Sequence, residues 1–103
     1  MLAHAGYFPE ADLDQFTREG NHLGVHAEWH VPGIEMISGS LGHGLPVATG
    51  LAQAFKQDGK DNLVFCLTGD GELHEGSNWE ALLSAAWFGL GNLIVIVDRN
   101  GQC

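Results

Sequence analysis

The chain has 103 residues, 45% of them hydrophobic, with 4 Lys+Arg against 13 Asp+Glu and a formal net charge of -9. That length holds at most one small domain, and the hydrophobic share is that of an ordinary globular core. The acidic balance leaves no basic footprint, which argues against nucleic acid and anionic membrane surfaces as partners; an acidic protein that takes an anionic ligand must do so through a metal or backbone amides.

Two cysteines, Cys66 within an apolar run and Cys103 at the last position, make no disulfide framework and point to a reducing, cytoplasmic compartment. No run reaches transmembrane length, and the N-terminus lacks the basic flank of a signal peptide. Both ends read as cut. Met1 to Ala5 resembles the tail of a helix whose beginning is missing, and Cys103 follows Asn100 by three positions with nothing to close the unit. The expectation is one partial domain over residues 1–103, truncated at both ends, because two strand-like segments make a poor sheet.

In chain order, Gly6-Tyr7-Phe8-Pro9 breaks the first segment. Pro9 then suits the first turn of a short helix over Glu10 to Arg18, with acidic residues early and Arg18 late. Gly20 ends it, and Asn21 to Pro32 reads as irregular. His22, His26 and His30 are spaced by four and would share a helix face fit for zinc, but the flanking glycines and Pro32 argue for a polar loop. Gly39-Ser40-Leu41-Gly42-His43-Gly44 is a glycine-rich turn feeding a helix over Leu45 to Gln57, whose apolar residues recur at three-and-four spacing. Such a turn presents backbone amides that can contact a phosphate or a polar ring edge.

The stretch from Leu63 to Asn100 organises the rest. An apolar strand (Leu63 to Leu67) ends in Thr68-Gly69-Asp70-Gly71. A helix follows from Ser77 to Leu90, with Ser77 or Asn78 as cap and Trp79 and Trp87 packing it on the sheet. A second strand (Leu93 to Val97) ends in Asp98-Arg99-Asn100. Strand, helix and strand at this spacing form a βαβ unit with parallel strands, so both strand ends emerge at the ligand-binding edge of an α/β sheet. Asp70 and Asn100 then become neighbours. A carboxylate and an amide carbonyl are hard oxygen donors suited to Mg²⁺ or Ca²⁺, and Mg²⁺ commonly completes its shell with phosphate oxygens. Gly69 and Gly71 let backbone approach a ligand closely.

GDG followed by 28 residues and then Asn is the fingerprint of thiamine-diphosphate enzymes. GDGELHEGSNWEA, the upstream PGIEMISGSLGHGL and AGYFPEADLDQF together resemble the transketolase family, in order and over essentially the whole chain. The likeness is greatest to the short, split form, in which this would be the N-terminal subunit. It implies an α/β fold, part of a parallel-sheet, doubly wound thiamine-diphosphate-binding domain. It implies transfer of a two-carbon ketol unit from a ketose to an aldose in carbohydrate metabolism of the pentose phosphate type, with thiamine diphosphate and Mg²⁺ or Ca²⁺ as cofactors. The implied partners are a pyrimidine-domain subunit or C-terminal half, in a homodimer or heterotetramer, and sugar phosphate substrates.

Residue by residue, the resemblance implies that Asp70 and Asn100 ligate the metal by side chain and Gln102 by its carbonyl. Gly71 would give a backbone amide to the diphosphate beside Gly69. Gly39, Ser40 and Leu41 would line the cofactor, with Leu41 against the pyrimidine. His26 falls at the histidine of a GHP motif that contacts donor substrate, although its neighbours here are Val25 and Ala27. Glu75 and Glu80 match acidic residues that link two active sites across a dimer. The glutamate that activates the aminopyrimidine belongs to a different domain, so these residues alone are expected to be inactive. The alternatives are another enzyme of the same cofactor, such as 1-deoxyxylulose-phosphate synthase, and a non-catalytic remnant; Glu75-Gly76 and Trp79-Glu80-Ala81 favour transketolase over the other enzymes.

Overall fold

A computed structural model describes residues 1–26 and 28–101. Two compact units divide the chain, Met1–Gly39 and Ser40–Cys103.

The first unit is built from turns. Its one helical element among the described residues is a 3-10 segment, Glu10–Gln15, in place of the longer helix that Pro9 and the charge order suggest. Leu13 and Phe16, the apolar pair of that segment, stay exposed, so a helix there has no buried face to stabilise it. Thr17 takes a left-handed conformation at φ 62°, which stops any continuation. The loop that follows is held locally: Thr17 N–H donates to Leu23 O at 2.8 Å, and Leu23 N–H donates to Asn21 Oδ1 at 2.6 Å. His22 packs edge-on against Phe8 with ring centroids 5.3 Å apart. A ring nitrogen of His30 lies 3.0 Å from the His22 carbonyl. The described part of this segment is not helical, so the three histidines do not form one helix face.

The second unit carries α1 (Gly44–Gln57), β1 (Val64–Gly69), a 3-10 turn (Gly71–His74), α2 (Gly76–Trp87) and β2 (Leu93–Asp98). β1 and β2 are parallel, in register from Val64↔Leu93 to Gly69↔Asp98. This is the α/β arrangement that the strand–helix–strand spacing predicts. β1 alternates, with Val64, Cys66 and Thr68 buried while Phe65 and Leu67 are exposed. Both helices join one core on the buried side: Leu45, Ala48, Ala52, Val64, Cys66, Ala81 and Leu90.

Helix α2 corrects one expectation. Trp79 and Trp87 do not pack it on the sheet; they are 56% and 86% exposed. Its buried residues are Asn78 and Ala81, and α1 contributes Ala48 and Ala52 to the same core. Small side chains on both helices allow close approach, and an indole between them would overfill that space. Neither Ser77 nor Asn78 caps the helix; Glu75 is the N-cap residue and makes no side-chain cap bond. At the other end of α2, Lys56 of α1 donates from Nζ to the carbonyls of Phe88 at 2.6 Å and Gly89 at 3.0 Å, satisfying acceptors that the helix leaves over.

Leu45 is fully buried where α1 begins. Leu45→Ala in the full-length chain should lower its unfolding free energy by about 2–5 kcal/mol through cavity formation; a urea titration with a shifted midpoint and unchanged slope is the expected outcome.

Candidate cofactor and metal site

The site begins where β1 runs out. Asp70 follows Gly69, the last residue of the strand, and its backbone N–H donates to Asp98 O at 3.1 Å. That bond extends the parallel ladder one step and fixes the backbone from which the Asp70 side chain projects. β2 ends one pair away, and its continuation folds back: Gly101 N–H donates to Asp70 Oδ2 at 3.3 Å, and Asn100 Nδ2 donates to Asp98 Oδ2 at 3.3 Å. The structure therefore brings Asp70 together with the Asp98–Gly101 segment across 31 residues of sequence. Gln102 lies outside the described residues.

The other carboxylate oxygen, Asp70 Oδ1, is buried without a hydrogen-bond partner. Leaving such an oxygen unpaired is costly. A hard divalent cation is the partner that its charge and chemistry suit. Among the described residues no three His, Cys, Asp or Glu side chains converge on one point. A metal at Asp70 would therefore complete its shell from amide carbonyls, phosphate and water, the ligand mixture typical of Mg²⁺. The residues present fit such an ion. Gly71 opens the 3-10 turn, and the first N–H groups of a helical turn have no acceptor within it, which leaves that amide suited to an anion.

The glycine-rich turn is more constrained than its sequence suggests. Gly42 is buried at φ +91°, and a Cβ there would lie 2.7 Å from Glu75 Cβ. Only glycine seats the turn in this position. The Gly42 N–H is not presented to a ligand; it donates to Glu72 Oε1 at 2.8 Å. The second oxygen, Glu72 Oε2, accepts from Gly69 N–H at 2.7 Å. Asn78 is wholly buried and donates from Nδ2 to the Glu72 carbonyl at 2.6 Å. Ser77 Oγ lies 3.5 Å from the Gly42 carbonyl, and Trp79 Nε1 donates to Leu73 O at 2.8 Å. Sequence reasoning gives Glu72 no role and reads Asn78 only as a candidate helix cap, where its side chain instead donates to the Glu72 carbonyl. Glu72 stands beside the GDG run, but its partner Gly42 is 30 positions away, a pairing that no local period encodes.

The remaining predicted residues divide between the two units. Ser40 and Leu41 belong to the second unit and directly precede Gly42, and Leu41 is 64% exposed. Glu75 and Glu80 are both exposed at the start of α2. His26 and Gly39 belong to the first unit, where both are exposed.

Beneath the site, Cys66 is a buried free thiol. Burial pushes its pKa above the ordinary 9.0, and the nearby negative charge of Glu72 pushes the same way. Both disfavour the thiolate.

The whole chain, residues 1–103, matches the family model for the transketolase thiamine-diphosphate-binding domain. It is 53% identical over 100 residues to one subunit of the apulose-4-phosphate transketolase of Actinobacillus succinogenes, covering 96% of this chain and 36% of that protein. It is 41% identical over 100 residues to the 6-deoxy-6-sulfo-D-fructose transketolase subunit SqwG of a Clostridium species, again 96% of this chain and 36% of that protein. Against human transketolase the identity is 40% over 101 residues, 97% of this chain and 16% of that protein. The chain thus spans about a third of these split-subunit relatives, 36% of their length.

The raised Cys66 pKa has a signed consequence. The folded state holds the thiol proton more tightly than the unfolded state, so Cys66 leaves stability unchanged well below pH 9.0 and lowers it as pH rises past the unfolded value. In a Cys103→Ser background, Cys66 should resist alkylation by iodoacetamide at about pH 8, where a thiol of raised pKa stays protonated, and react once denaturant is added; mass spectrometry of the labelled protein reads both.

Proposed function

The chain belongs to the transketolase family, and on that premise we propose that it supplies the metal and diphosphate anchor of a thiamine-diphosphate-dependent transfer of a two-carbon ketol unit from a ketose to an aldose. The observation that carries the reading is the partnerless Asp70 Oδ1, buried at adjacent parallel strand ends beside the Asp98–Gly101 segment. Thiamine diphosphate supplies the carbon–carbon bond chemistry when bound. The protein's part is to hold and orient it. Asp70 and Asn100 would ligate Mg²⁺ by side chain, with Gln102 adding its carbonyl, and Gly71 would donate its N–H to the diphosphate. Gly39, Ser40 and Leu41 would line the thiamine. The exposed Leu41 side chain supports this, because an apolar group directed outwards is free to cover an aromatic ring.

We assign His26 to donor substrate, and Glu75 and Glu80 to the link between two active sites across a dimer. For Glu80 the support is its surroundings. It lies on α2 close to Trp79, Leu83 and Trp87, all exposed. A group of large exposed apolar side chains of this kind marks a surface that other protein covers. The partner in this reading is the pyrimidine-domain subunit or half-chain. Relatives whose names make them subunits of a transketolase favour a separate chain.

The donor in this proposal is a phosphorylated or sulfonated ketose, as the names of two relatives suggest for those proteins. A cytoplasmic setting is supported by the buried free thiol of Cys66, since reducing compartments keep thiols free. Among the described residues no helix is long and apolar enough to cross a membrane.

The experiment is a calorimetric titration of thiamine diphosphate with Mg²⁺ into the full-length chain combined with its completing subunit. Asp70→Ala and Asn100→Ala should each weaken binding at least about tenfold, since each removes a hard oxygen donor from the ion that neutralises the diphosphate. Unchanged affinity in both variants would remove the metal assignment.

A further inference from the structure

The carboxylate of Glu72 ties together two segments that are far apart in sequence. One oxygen accepts from Gly42 N–H at 2.8 Å and the other from Gly69 N–H at 2.7 Å. Gly42 directly follows Leu41, and Gly69 directly precedes Asp70. Each oxygen therefore grips the backbone one residue away from a group assigned to the cofactor. The Glu72 backbone is itself held from behind, because Asn78, wholly buried, donates to the Glu72 carbonyl at 2.6 Å. Neither glycine can be shifted cheaply. Gly42 sits at φ +91° with Glu75 Cβ 2.7 Å from where a Cβ would stand, and Gly69 is paired with Asp98 at the end of β1.

We propose that Glu72 is a positioning residue that sets the spacing between the Ser40–Leu41 turn and the Asp70 strand end, and so matches the pyrimidine-side contacts to the diphosphate anchor. The inference rests on the thiamine-diphosphate reading above and adds to it a residue that touches neither metal nor cofactor. A doubly accepting carboxylate suits the task. Charge-assisted hydrogen bonds to two backbone N–H groups are short and directional, and they join main chain to main chain, with only one side chain between the two segments.

The substitution that tests this is Glu72→Gln. It keeps the volume and one acceptor oxygen, but turns an NH₂ group towards the second backbone N–H, so one of the two bonds is lost. Two ligands are titrated with Mg²⁺ into the full-length protein and its completing subunit: thiamine diphosphate, which spans both segments, and inorganic pyrophosphate, which needs only the anchor. The anchor keeps its own supports, the Asp70 N–H to Asp98 bond and the Gly101 N–H to Asp70 bond. The expected result is a loss of about tenfold for thiamine diphosphate with pyrophosphate within about twofold of the parent, the pattern of a misplaced second contact. Glu72→Asp is one methylene too short to reach both amides and should give the same selective loss; it serves where Glu72→Gln does not fold. Equal losses for both ligands would make Glu72 part of the anchor or of general stability, and no loss for either would make it dispensable; each outcome overturns the proposal alone. A parent that binds neither ligand overturns the thiamine-diphosphate reading, and the positioning role falls with it.

Discussion

The parallel register of β1 and β2 is the constraint on which the rest of this unit depends. Gly69 faces Asp98, and from that one pairing the chemistry of the site follows. Parallel strands end at the same edge, so whatever residues follow them share one surface. The residues that follow are a carboxylate and a segment rich in hydrogen-bonding groups. A register slip of one residue would reverse which side chains face the core. Val64, Cys66 and Thr68 would exchange with Phe65 and Leu67, and Val64 and Cys66 would leave the cluster they form with Leu45, Ala48 and Ala52. The core therefore protects the register, and the register places Asp70.

Above that apolar base, the site is held by polar main-chain contacts. Gly42, Gly69, Glu72, Ser77 and Asn78 form a network that draws on the backbone N–H or C=O of several segments at this edge. Such a network specifies position better than apolar packing, because hydrogen bonds are directional and apolar contacts are not. It also carries a cost. Thr68 Oγ1, Asp70 Oδ1 and Asn78 Oδ1 are buried without partners. Gln53 Oε1 and Asn92 Oδ1 are buried without partners as well, so of these oxygens only Asp70 Oδ1 combines a missing partner with a carboxylate charge. At Asp70 the proposed cation would offset that cost, since a hard divalent ion suits an unpaired carboxylate oxygen.

Much of this is legible in the residues. The two strands, both long helices and the adjacency of Asp70 to the segment after β2 follow from apolar periodicity, turn glycines and the geometry of strand–helix–strand units. They are legible because each depends on local sequence or on a topological rule with few exceptions. Two kinds of feature are not. The segment from Glu10 has helix-like charge order, yet it settles as a short 3-10 turn, since Leu13 and Phe16 stay exposed and local preference alone does not sustain a helix. The clamp by Glu72 depends on a contact across 30 residues, and its partner is a backbone amide, which leaves no signature in side-chain pattern. In sequence the glycine-rich turn is an array of amides open to a ligand; in the fold one of them, Gly42, is already committed to Glu72.

The tryptophans of α2 show the same logic from the other side. An amphipathic stripe identifies which residues of a helix are apolar, but not which neighbour they meet. Here the two helices bring alanines to the shared core. Trp79 and Trp87 then turn away from this core, and Leu83 stands exposed with them. Trp79 is not loose, because its Nε1 donates to the Leu73 carbonyl, so the exposed ring is held against the turn that follows Asp70. One hydrogen bond thus ties the outward side of α2 to the short turn that carries Glu72.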